Sequence, residues 1–138
     1  MLISVIAAGC GKPDLKPVSI ASGDICAFCK MAISEKRYAA EILDPDGQPV
    51  TFDEIGCMIS FMKKRPEQQV AASFVTDYQT GQWIAVEKAF FVRSSNYATP
   101  MGSGIVAFSD GAKAGEQAAA NKGELWTSGQ FSQLRDRN

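Results

Sequence analysis

The chain has 138 residues, enough for one compact unit and short for two independent ones. Hydrophobic residues make up 46% and charged residues 21%, a composition that excludes a disordered or fibrous chain. The net charge is −1, and the Lys and Arg residues are scattered, so there is no electrostatic footprint for nucleic acid or an anionic membrane.

Met1 to Cys10 is an apolar run that ends in Ala7-Ala8-Gly9 ahead of a cysteine. This pattern predicts the tail of a bacterial lipoprotein signal over residues 1–9, with Cys10 as the lipidated start of the mature protein. Ala7 stands where leucine is usual and no basic residue precedes the run, so the signal reads as a truncated one. The competing reading is a short buried strand carrying a free thiol. Residues 10–19, with Pro13 and Pro17, suit a tether between a lipid and a folded body. No other stretch approaches the roughly 20 apolar residues of a membrane span. The expected location is the periplasmic face of the cell envelope, anchored rather than spanning.

The folded body is expected over residues 20–138. Arg37 to Leu43 reads as a strand with Tyr38, Ala40 and Ile42 on one face, Asp44 to Gly47 as a turn, and Pro49 to Phe52 as the returning strand. Asp53 suits a helix N-cap, and Ile55, Met58, Ile59 and Met62 recur at helical spacing before Lys63-Lys64-Arg65 and Pro66. Ala71 to Asp77 and Trp83 to Val86 read as strands on either side of a turn at Thr80-Gly81. Phe90 to Arg93 and Gly104 to Phe108 follow as strands. Ser109 is placed to cap an Ala-rich helix to about Asn121, Gly123 to stop it, and Glu124 to Thr127 to form a last strand. Val50-Thr51-Phe52-Asp53 aligns with Val106-Ala107-Phe108-Ser109, which points to an internal duplication. The predicted class is α+β: two similar ββαβ units, about 24–78 and 82–130, sharing one core, with small mixed or antiparallel sheets and one helix each.

The chain has no histidine, which removes the usual general base and the commonest ligand for zinc, copper(II) and non-haem iron. It does have four Cys and five Met, so any metal held here meets soft donors. Cys26-Ala27-Phe28-Cys29-Lys30-Met31 concentrates them. A CxxC pair can be a zinc half-site, a redox pair or a soft-metal site, and an exported compartment also permits a structural disulfide. Zinc ribbons need four ligands, and only Cys57 remains once Cys10 is lipidated. A thioredoxin-like role needs the pair at a helix start after a strand, and no such unit precedes it. Met31 adds a thioether two residues from Cys29 on an extended segment, where alternate residues share a face. Thiolate with thioether favours Cu(I), although most Met residues only fill core space. Cys57 sits beside Met58 on the first predicted helix, either as a secondary soft ligand or, the favoured reading, as an inert half-buried thiol.

CxxCxMxI over Cys26 to Ile33, followed by a hairpin, a strand ending in Phe52-Asp53 and a helix, resembles the NosL family of nitrous oxide reductase accessory lipoproteins. Thr99-Pro100-Met101-Gly102, ahead of a strand ending in Phe108, is similar to the family's GPMG-like turn. The resemblance covers about residues 20–127. It implies a periplasmic Cu(I)-binding metallochaperone that serves the copper–sulfide centre of nitrous oxide reductase in denitrification. It further implies Cys29, Met31 and Met101 as ligands, with Cys26 and Cys57 as secondary candidates. Three positions depart from the family pattern: Lys30 and Thr99 replace glycines, and Ser103 stands where a histidine often follows Met-Gly. The alternative is a periplasmic thiol–disulfide protein using Cys26 and Cys29 to support metal-site assembly. No nucleotide, hydrolase or dinucleotide fingerprint is present, so no enzyme activity is expected.

Overall fold

The computed structural model describes residues 14–136, so the expected signal segment and Cys10 lie outside the described residues. Strand β1 (Ala40–Leu43) pairs antiparallel with β2 (Pro49–Phe52) across the predicted turn. The Asp44 carboxylate closes that turn by accepting the N–H groups of Asp46 at 2.9 Å and Gln48 at 2.8 Å. Helix α1 (Ile55–Lys64) follows, and β3 (Ala72–Thr76) returns along the other side of β1. Strand β4 (Trp83–Ala85) pairs with β3 and completes a sheet of order β2-β1-β3-β4.

The second half repeats the path. Strands β5 (Phe90–Arg93) and β6 (Ile105–Phe108), helix α2 (Gly111–Ala120) and strand β7 (Glu124–Trp126) build a sheet of order β6-β5-β7. In each ββαβ unit the first strand is flanked by the second and third, and every in-sheet neighbour is antiparallel. Phe52 and Phe108 end equivalent strands, as the alignment of the two halves requires.

The two units share one core. Ile42, Phe52, Ile55, Met58 and Val75 of the first half pack in the same cluster as Phe91, Ile105 and Ala107 of the second. A smaller cluster gathers Tyr38, Tyr97, Val106 and Phe108 under α2. The sheets meet at Asp77, which bridges in parallel to Ala107, while the Tyr78 N–H donates to the Ala107 carbonyl at 2.8 Å. The Asp77 carboxylate accepts both the Ser109 N–H at 3.0 Å and the Ser109 hydroxyl at 2.6 Å. Burial alone would raise this carboxyl's pKa, but these bonds and those from Gln79 and Thr80 hold it below the ordinary value.

Three local expectations change. Residues Lys36–Tyr38 form a 3-10 turn, so the strand starts at Ala40 and Tyr38 enters the smaller cluster, with the Arg37 guanidinium 5.0 Å from its ring centre. Ser109 spends its hydroxyl on Asp77, and Asp110 caps α2 instead, accepting from the Ala112 N–H at 2.8 Å and the Lys113 N–H at 3.2 Å. Helix α1 begins after Glu54, not Asp53, and neither side chain caps it. A third helix, α3 (Ser128–Asp136), follows β7 and stacks Phe131 on Phe91, with ring centres 4.0 Å apart.

Glu41 lies fully buried on β1, where its Oε1 accepts the Val18 N–H at 2.7 Å. This bond ties the segment around Val18 to the first sheet, and burial pushes the Glu41 carboxyl above its ordinary value. Among the described residues, no helix is long and apolar enough to cross a membrane.

Candidate metal site

The Cys26–Met31 segment is a tight loop set between Ile25 and Ala32, which form an antiparallel bridge. The Cys26 N–H donates to the Met31 carbonyl at 2.9 Å, and the Lys30 N–H donates to the Cys26 carbonyl at 3.0 Å. The Ala27 N–H donates to the Thr51 carbonyl at 2.9 Å, which docks the loop on β2. Closing the loop requires a left-handed residue between Cys29 and Met31, and Lys30 takes φ 66°. The glycine usual in the NosL pattern meets that need without strain, whereas a lysine there costs about 1 kcal/mol.

The sulfurs of Cys26, Cys29 and Cys57 lie within 4.8 Å of one another, and all three are free thiols. Cys26 and Cys57 are buried, at 0% and 2% exposure, while Cys29 is half-buried. Cys57 arrives from the first turn of α1, one position round from the core residue Met58. It is therefore buried and clustered with the other two thiols, where the sequence favoured an inert half-buried thiol over a secondary soft ligand. Burial would push the Cys26 thiol up, but the N–H groups of Asp53, Cys29 and Phe28 donate to its sulfur and the net shift is downward. Cys29 is raised, first by burial and then by the neighbouring Cys26, against an opposing N–H from Met31. Burial and the two neighbouring sulfurs push Cys57 far above the ordinary thiol value. A bound cation would lower the cost of ionising all three thiols.

Met101 reaches this corner from the second half of the chain. Its N–H donates to Glu54 Oε2 at 2.9 Å, across 47 residues of sequence. Glu54 is buried just ahead of α1, so its carboxylate fixes the Met101 turn instead of capping the helix. Gly56 allows the close approach: a Cβ there would lie 2.5 Å from the Ser103 Cβ. The Thr99 hydroxyl accepts the Gly104 N–H at 3.0 Å, so the threonine that replaces a glycine braces the turn. Gly104 itself has φ 69°, and a Cβ would strike the Ser94 carbonyl oxygen. Met101, Cys57, Phe28 and Trp126 line one cavity of about 380 Å³.

Met31 and Met101 are exposed, at 59% and 51%, while Met58 is buried in the core. Their exposure sets these two thioethers apart from the core-filling Met58. Sequence reasoning did not identify Glu54, Gly56 or the Asp53 N–H as parts of this corner. A glycine near the start of a predicted helix was the one available signal, since it weakens a helix unless something approaches closely.

These features define a small α+β protein of duplicated ββαβ units, with a sulfur-lined corner where the two halves meet. The chain belongs to the NosL family, whose model matches residues 17–134. A solved structure, described as the crystal structure of the copper chaperone NosL from Shewanella denitrificans, shares the fold at a TM-score of 0.74 and 24% identity. The match covers 83% of this chain and 94% of that one. No functionally curated protein matches the sequence.

Proposed function

We propose that this protein is a Cu(I) carrier of the cell envelope, tethered by lipid at Cys10, which supplies copper to the copper–sulfide centre of nitrous oxide reductase. Its ligands are the Cys29 thiolate and the Met31 and Met101 thioethers, and it works by ligand exchange, without catalysis. The observation that supports this reading is the cluster of three free thiols, with Met31 two residues from Cys29 on the same loop and Met101 lining a cavity with Cys57. Soft, uncharged thioethers with a thiolate suit Cu(I), and the lack of histidine disfavours Cu(II) and zinc. Family membership and the copper chaperone sharing the fold support the same reading. Three ligands, two of them at the surface, leave the ion open to an incoming donor from the client.

The test is cellular. In a cell where this chain alone supplies a nitrous oxide reductase, its removal is expected to lower the copper content of the purified reductase. Cys10→Ser should move the carrier from the membrane fraction to the soluble fraction. A fully copper-loaded reductase without the carrier would overturn the delivery role, and a wild-type product already soluble would overturn the anchor.

A further inference from the structure

We infer that Cys26, Cys29 and Cys57 form a second, inner seat for a soft metal ion, directly behind the Cys29–Met31–Met101 position and sharing Cys29 with it. The two-position arrangement rests on the carrier reading above, but the inner seat itself rests on the three thiols alone. Their sulfurs are mutually within 4.8 Å. A metal–thiolate bond of about 2.3 Å places sulfurs about 4.0 Å apart around a trigonal ion, so one ion fits among them with small adjustments. The three donors come from two separate elements, the Cys26–Met31 loop and the first turn of α1, and each is fixed independently. The Ala27 N–H on the Thr51 carbonyl at 2.9 Å holds the loop, and the helix holds Cys57.

Burial makes this seat different in kind from the outer one. Two of its donors are closed off from water, whereas two of the outer donors are more than half exposed. Three thiolates also bind a soft cation more firmly than one thiolate with two neutral thioethers, because each thiolate brings charge. The inner seat therefore retains the ion, and the outer position exposes it for exchange. In moving between them copper stays Cu(I). Cys29 remains bound, the Met31 and Met101 sulfurs leave as neutral groups, and the Cys26 and Cys57 sulfurs bind as thiolates. Any proton they still carry passes to water.

Cadmium(II) is the probe, since it is soft, spectroscopically silent in itself, and reports each bound thiolate by charge-transfer absorption. The full chain with Cys10→Ser is used, which removes the remaining thiol. One equivalent of cadmium(II) should give the absorbance of three thiolates, unchanged in the Met31→Ala/Met101→Ala double variant. In Cys57→Ala the absorbance should fall by about one third, one thiolate of three, with circular dichroism confirming the fold. Absorbance of a single thiolate in the parent protein would overturn the inner seat, and needs no variant to fold. A parallel Cu(I) titration separates the two ideas: three-thiolate cadmium binding without Cu(I) binding would sink the carrier reading and leave the seat standing.

Discussion

Cys29→Ser is expected to lower Cu(I) affinity on the order of 100-fold or more, the share of one thiolate in the binding energy of a small sulfur site. Cys29 is the only anionic donor of the outer set and the only member of the thiol cluster that reaches solvent. A serine hydroxyl is a hard, neutral donor and cannot replace it for a soft ion. The half-buried position carries little packing, so the fold should survive. Met31→Ala and Met101→Ala remove donors of the exposed exchange position only, so each should slow copper transfer to an added chelator by about 10-fold, near 1.4 kcal/mol in the barrier, with unchanged thermal stability. Competition against a Cu(I) chelator measures all three. Full affinity in Cys29→Ser, with loss only in Cys26→Ser, would place the ion elsewhere.

The largest effect on stability is expected from Phe131→Ala. Phe131 is completely buried, and its ring lies parallel to that of Phe91 with centres 4.0 Å apart. Truncating a buried phenylalanine costs about 3–5 kcal/mol, from lost transfer energy and the cavity left behind. For a body of this size that lowers the Tm by more than about 10 °C. Thermal and denaturant unfolding both read it. A change below about 1 kcal/mol would mean that α3 does not close the core, since surface substitutions fall in that range.

That helix also shows where sequence reasoning stopped. Ser128–Asp136 offers only Phe131 and Leu134 as large apolar residues, too few for a helical stripe, and the last element expected from the sequence ends at Thr127. Tertiary contact decides its structure, through one ring placed against Phe91. The duplication was legible for the opposite reason. Two hairpins, two helices and two strands ending in Phe52 and Phe108 repeat in pattern, and each unit repeats the same pairing.

The site was legible in part. Spacing singled out Cys26, Cys29 and Met31, because they share one loop. The resemblance, not the spacing, brought in Met101. Its attachment depends on a Glu54 carboxylate and a Gly56 surface whose roles emerge only when the halves are packed. Cys57 illustrates the limit of helical periodicity. Its position beside Met58 gives its angle on α1, but not that the Cys26 loop lies against that angle. Caps failed similarly: Asp53 and Ser109 look like N-caps, yet Ser109 is drawn to Asp77, and the Asp53 N–H serves the Cys26 sulfur.

The measurement that bears most directly on the carrier reading is a competition between Cu(I) and zinc(II) for the purified, reduced protein. The reading predicts about one Cu(I) per chain, taken in preference to zinc, because every donor in the proposed site is sulfur and none is imidazole. Zinc bound equally well or more tightly would contradict it, and would point to a thiol site of Cys26, Cys29 and Cys57 with no copper duty.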